Sequence, residues 1–205
     1  MTKTIYLFRH GQTEWNLIRR MQGHSDIPLN DEGRKQAQQL QNFFKSHPVE
    51  VMFSSDLMRA QQTAAIANEV LSAPTFVSEK FREVFLGDIE GMTQEEIKNM
   101  HGEESWLRWT SHEVKNFSFT YGNGESALVA IERFKNGLLE VCQSQSFAVA
   151  GLCTHGLMLK RFLHSLRPDL LEPLPIPNCV VYRVDWSPTR GFEFAPELTA
   201  DEAGA

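Results

Sequence analysis

Four apolar runs rich in β-branched or aromatic residues, at 4–8, 49–53, 147–153 and 179–185, read as buried parallel strands. A shorter run at 75–79 and an alternating one at 191–195, suited to a sheet edge, complete the set. Helical patterns fill the gaps. The first opens on the capping residues at Asn30 and runs through Lys45, with Ala37, Leu40, Phe43 and Phe44 near one face. Others run from Asp56 to about Leu71, from Gly124 to about Cys142, and over 156–166. This alternation predicts a three-layer α/β sandwich with right-handed crossovers.

One stretch breaks the rhythm. Residues 91–123 hold Trp106, Trp109, Phe117, Phe119 and Tyr121 among many charges. An insertion of this length suits a lid or binding loop, and the alternative is a satellite cluster packed under a long loop. The predicted organisation is a single domain over 1–196 carrying this insertion, followed by a polar, flexible tail at 197–205.

Composition narrows the function classes. With 41% hydrophobic and 22% charged residues the chain has an ordinary globular balance. Its net charge of −6 argues against nucleic acid or an anionic membrane as partner. Cys142, Cys153 and Cys179 lack metal-ligand spacing, and three thiols cannot all pair, so reduced cysteines in a cytoplasmic protein are expected. Neither a signal peptide nor an apolar run of the roughly 20 residues that span a bilayer is read. The 191–195 edge would suit a homodimer.

Two strands end in the same chemistry. The first closes on Arg9-His10-Gly11 and the last long apolar run before 156 closes on Thr154-His155-Gly156. In open α/β sheets ligands bind at the carboxyl edge of the strands, so both junctions point to one site. A phosphate ester fits it. A neutral imidazole, with a free pKa of about 6.5, is competent to attack phosphorus, and arginine offers a planar donor fork to the phosphoryl oxygens. One cation at 4 Å contributes roughly 4 kcal/mol at an effective dielectric of 20, so several supply a large acceleration. Arg59, after Ser54-Ser55-Asp56, is a further candidate cation, with a surface arginine capping Asp56 as the alternative. The leaving oxygen needs a proton, which Glu83 would give if burial raises its pKa; pattern alone does not separate Glu83 from Asp88 and Glu90.

These residues resemble the histidine phosphatase superfamily. Arg9-His10-Gly11 with Thr13 and Asn16, then Gln22-Gly23 through Asp26, Pro28 and Leu29, is similar to its opening. Ser54 through Ala64, Arg82-Glu83 with Gly87 and Glu90-Gly91, Gly124-Glu125-Ser126, and Thr154-His155-Gly156 resemble its later signatures, in order and across nearly the whole chain. The resemblance implies a phosphoglycerate mutase-like α/β/α fold whose mostly parallel sheet carries an antiparallel edge strand. It implies phosphohistidine at His10, phosphoryl binding by Arg9, Arg59 and His155, and acid then base work by Glu83. Asn16, Gln22, Gly23 and the backbone at Gly156 would line the pocket. No metal and no cofactor is implied. The chain departs from the family at Ile89, often tryptophan, and at Leu157, commonly glycine or asparagine, where a larger side chain would change substrate preference.

The expected activity is hydrolysis of small phosphorylated metabolites. A phosphoglycerate mutase is the first alternative, disfavoured because 91–123 holds only Arg108, Lys98 and Lys115 instead of paired arginines. A non-catalytic phospho-ligand module is the second, and the intact five-residue set argues against it. His24, His47, His101, His112 and His164 are expected to be surface or structural.

Overall fold

The computed structural model describes residues 1–111 and 113–194; His112 and the proposed tail lie outside the described residues. Six strands form one sheet: β1 (Lys3–Arg9), β2 (Val51–Ser55), β3 (Thr75–Ser78), β4 (Val149–Thr154), β5 (Val181–Ser187) and β6 (Gly191–Phe194), in the spatial order β3-β2-β4-β1-β5-β6. The helices are α1 (Glu14–Leu17), α2 (Asp31–Ser46), α3 (Met58–Asn68), α4 (Gln94–His101), α5 (Glu103–Thr110), α6 (Ala127–Ser144) and α7 (Gly156–Leu166). None of them is long and apolar enough to cross a membrane.

The register places the chemistry. β1 and β4 are adjacent and parallel, pairing Arg9 with Thr154 at their ends, so the two His-Gly junctions emerge side by side. β2 flanks β4 in parallel. The polar starts of the helices do their expected work: Asn30 accepts from Gly33 N at 2.9 Å and opens α2. α2 then buries Leu40 and Phe44 against one face of the sheet, with Ala37 buried on the same helix. α6 and α7 cover the other face through Phe134, Leu138, Leu159 and Phe162.

Backbone fits to backbone directly behind His10. A Cβ on Gly11 would stand 2.4 Å from the Gly33 carbonyl oxygen, and one on Gly33 would stand 2.0 Å from that of Gln12. Only glycine permits this approach of the β1 turn to the start of α2.

The run at 179–185 departs from its expected direction. β5 is antiparallel to β1, pairing Phe8 with Val181, and β6 is antiparallel to β5. After α7 the chain returns to the carboxyl edge of β1, where Arg9 N donates to Val180 O at 3.1 Å and Cys179 N to Arg9 O at 3.2 Å. β5 therefore enters the sheet from that edge. Within β5, half-buried Arg183 and Asp185 alternate with buried Tyr182, Val184 and Trp186, the pattern of an antiparallel strand with one partly solvated face, a signal that the apolar count over 179–185 passed over.

The 91–123 insertion combines the two readings made of it. α4, α5 and the segment after them form a cap in which Trp109 and Tyr121 join the main core and Phe117 is buried, while Trp109 also reaches the pocket below. Each buried aromatic contributes about 1.5–3 kcal/mol, enough together to hold the cap against the domain. Arg161 of α7 adds a clamp, donating to the Trp109 and Ser111 carbonyls with its guanidinium 5.0 Å from the Phe117 ring centroid.

Candidate active site

The side chains at the carboxyl edge surround a pocket of about 320 Å³. Arg9, His10, Asn16, Gln22, Gly23, Arg59, Glu83 and Gly156 all line it. His155 lies buried beside it, its ring centroid 5.2 Å from that of His10. All nine residues expected from the sequence are thus brought together.

The local geometry gives His10 a defined tautomer. Its Nδ1 lies 2.7 Å from the Gly11 carbonyl oxygen and must carry the proton, which leaves Nε2 with a free lone pair. The main chain is tied on both sides. His10 N donates to Thr154 O at 3.0 Å, and Asn178 Nδ2 donates to His10 O at 2.9 Å. Gly11 N donates to Thr63 Oγ1 at 3.0 Å, whose hydroxyl donates to Arg59 O at 2.7 Å. Thr63 therefore couples α3 to the His10-Gly11 turn. Sequence reasoning missed both Thr63 and Asn178, because each acts through a backbone group far away in the chain.

Arg59 is 1% exposed and donates to Ser25 O and Gly23 O, each at 2.8 Å. It does not cap Asp56. That carboxylate is gripped by Arg82, whose hydrogen bonds hold the Asp56 pKa below its ordinary value. Arg9 donates to Ile176 O at 2.6 Å, and a Cβ on Gly156 would stand only 3.0 Å from Arg9 Nε. Glycine at 156 thus lets the guanidinium cross the start of α7. Burial lowers the pKa of both arginines, to about 10 for Arg59. Arg9 Nε, Arg59 Nε, Gln22 Oε1 and both ring nitrogens of His155 are buried with no partner among the described residues. Buried polar groups are rarely left so, and a cluster dominated by N–H groups suits an anion.

The three acidic candidates separate by position. Glu83 lines the pocket, Asp88 is exposed, and Glu90 braces the loop below by accepting from His24 N at 2.7 Å and Leu86 N at 3.2 Å. Glu83 is not enclosed by apolar walls. Its Oε1 accepts from Met158 N at 2.7 Å and Val84 N at 3.0 Å, and its Oε2 from Leu157 N at 3.0 Å. It is the side-chain cap of α7, fixed at the positive end of that helix. His24 holds the same loop, its Nε2–H donating to Glu83 O at 2.8 Å. The departures fall differently: Ile89 is buried in the core away from the pocket, whereas Leu157 lines it.

Both paired imidazoles are kept neutral. Burial, then the charges of Arg59 and Arg9, hold the His10 pKa well below 6.5; burial and Arg59 do the same for His155. A neutral imidazole is the form competent to attack phosphorus. His155 is uncharged in the protein alone, and a dianion beside it would shift that balance toward protonation. A stability consequence follows. In the unfolded chain these rings take a proton near pH 6.5, so below that pH the unfolded state binds more protons and the fold loses stability. The expected loss is roughly 1 kcal/mol per pH unit for each ring, until the folded-state values are reached. Urea unfolding at about pH 7 and about pH 5.5 measures it, and His155→Gln should flatten the slope; identical slopes would refute the account.

A model of the histidine phosphatase superfamily (branch 1) matches residues 5–194, and the chain belongs to that superfamily. It is 31% identical over 179 residues to a protein named uncharacterized phosphatase PhoE of Bacillus subtilis, covering 86% of this chain and 85% of the relative. It is also 31% identical over 190 residues to a probable phosphoglycerate mutase GpmB of Escherichia fergusonii, covering 89% and 84%. The structure of Bacillus stearothermophilus YhfR superposes with a TM-score of 0.84 at 28% identity, over 95% of this chain and 96% of that one. A mycobacterial glucosyl-3-phosphoglycerate phosphatase shares the fold, with a TM-score of 0.80 at 23% identity over 96% and 98%.

Proposed function

We propose that this chain is a metal-independent phosphatase that hydrolyses small phosphomonoesters through a phosphohistidine on His10. The observation that carries the reading is the free His10 Nε2 in a pocket lined by Arg9 and Arg59, beside a glutamate anchored at the start of α7. Nε2 attacks phosphorus in line as the ester P–O bond breaks. The Glu83 carboxyl passes a proton to the leaving oxygen, and its Oε2, which takes only one backbone bond, has a lone pair left to carry it. A water molecule then gives a proton to Glu83 while its oxygen attacks phosphorus. The N–P bond breaks, and neutral His10 returns with inorganic phosphate. Arg9 and Arg59 supply the fixed positive charge throughout, the part a metal ion plays in other phosphoryl-transfer sites.

Hydrolysis is favoured over mutase chemistry by the cap. Its basic residues point to other partners: Lys98 pairs with Glu103 at 2.9 Å, Lys115 with Glu113, and the Arg108 guanidinium lies 4.7 Å from the Phe119 ring centroid. None of the three lines the pocket, where the cap contributes Trp109. The relatives carry names of both kinds, phosphatase and phosphoglycerate mutase, so the test must separate them. A phosphate-release screen over phosphorylated metabolites in the presence of EDTA, with 3-phosphoglycerate followed for isomerisation, does so. Release insensitive to EDTA is the expected result. Isomerisation without release would make the chain a mutase, and silence on every compound would favour a binding module.

A further inference from the structure

The segment that follows α7 returns along the carboxyl edge of the sheet and touches the Arg9-His10 turn residue by residue. Ile176 O accepts from Arg9 Nη1 at 2.6 Å, Cys179 N donates to Arg9 O at 3.2 Å, and Arg9 N donates to Val180 O at 3.1 Å. Half-buried Asn178 sits among these contacts. Its Nδ2 donates to His10 O at 2.9 Å and, over a longer 3.4 Å, to Asn16 Oδ1. Cys179, which joins Asn178 to the approach of β5, has a φ of 60°. That left-handed conformation is uncommon outside glycine and persists where the surroundings fix it.

The amide orientations follow from partners whose chemistry is fixed. The Asn16 atom 3.1 Å from the Thr13 main-chain N–H must be the oxygen. The Asn178 atom that faces this oxygen and the His10 carbonyl oxygen must therefore be the nitrogen. Asn16 Oδ1 is thus occupied by Thr13 and Asn178, and its Nδ2–H groups are left for the pocket that Asn16 lines. Asn178 spends one N–H on the main chain of the imidazole with the free lone pair and the other on a donor beside it. A side chain that ties those two residues together sets the spacing between them.

Resting on the reading that His10 attacks the phosphoryl group, we propose that Asn178 is a positioning residue for that attack. It holds the His10 main chain at a fixed spacing from the Asn16 amide, so that Nε2 meets phosphorus in line. Asn178 itself is not among the residues that line the pocket. Its removal should therefore slow the chemical step and spare phosphate binding.

Asn178→Leu, of nearly the same size but without a donor, tests this with two readouts. In rapid-quench experiments with p-nitrophenyl phosphate, phosphoenzyme formation should slow about 10–100-fold relative to the native chain, the scale of a small misplacement of reacting atoms. Inorganic phosphate, titrated calorimetrically, should bind the variant within about twofold of the native value, because Thr13 still holds Asn16 and the arginines keep their carbonyl partners. Asn178→Ser repeats both measurements if circular dichroism shows that the leucine variant does not fold. Native-like phosphoenzyme formation in a folded variant would overturn the assignment. So would a loss of phosphate binding as large as the loss of rate, or failure of both variants to fold, since each would make the role of Asn178 structural. Absence of phosphoenzyme from the native chain would refute attack by His10 and the assignment with it.

Discussion

His10→Ala is expected to lower kcat/KM for every phosphate ester by about 10⁴-fold or more, because the proposed mechanism attacks phosphorus through His10 Nε2, and His155, the neighbouring imidazole, is not among the residues that line the pocket. That loss corresponds to at least about 5 kcal/mol of transition-state stabilisation. His10 is 2% exposed, so the substitution also leaves a small void, and far-UV circular dichroism should accompany the kinetics to show that the sheet persists. Two further readouts separate loss of the nucleophile from loss of the pocket. Phosphate should still bind the variant, since Arg9 and Arg59 remain. A phosphorylated enzyme trapped by rapid quenching of the native protein should be absent from the variant. Retention of most activity would sink the phosphohistidine mechanism outright.

Glu83→Gln is expected to slow alkyl phosphates, whose leaving oxygens need a proton, by about 10²–10⁴-fold. The effect on p-nitrophenyl phosphate should be much smaller, because nitrophenolate departs without one. The structure adds a second consequence. Glutamine can place its oxygen where Oε1 accepts from Val84 N and Met158 N, but its amide group then meets Leu157 N–H donor to donor. One buried bond at the start of α7 is lost, costing about 1–3 kcal/mol of stability. In the proposed mechanism the same glutamate serves both the chemistry and the helix that presents Gly156. Leaving-group-dependent kinetics test the first role and urea unfolding the second. Equal losses on both esters would remove Glu83 from proton transfer while leaving its cap intact.

Stability and function share residues in this pocket. Arg59 and the two histidines are buried in forms that burial disfavours or restricts, and the unpartnered Arg59 Nε and His155 nitrogens add to the cost. An anion beside them offsets much of that. Bound phosphate or a phosphonate should therefore raise the unfolding midpoint of the native chain by ordinary linkage.

What the sequence by itself determined was local chemistry and periodicity. Arg9-His10-Gly11 and Thr154-His155-Gly156 announced two strand ends of one kind, and Asn30 marked where α2 begins. Those signals survive because a strand-to-turn junction and a helix cap are made by residues within a few positions of one another. The ordered motifs then pointed to the superfamily and to the nine residues that meet around the pocket. Only the tertiary structure decided the rest. Adjacency of β1 and β4 sets the His10 and His155 rings 5.2 Å apart, and the return of the chain to the carboxyl edge turns β5 antiparallel. Glu83 is separated from Asp88 and Glu90 by its bonds to Leu157 and Met158, residues it meets only through the fold. Arg59 is freed from Asp56 because Arg82 takes that carboxylate, and Trp109 is the cap aromatic that reaches the pocket. Hydrophobic periodicity records how deeply a residue is buried, whereas strand order and contacts between distant segments depend on how those buried faces are assembled.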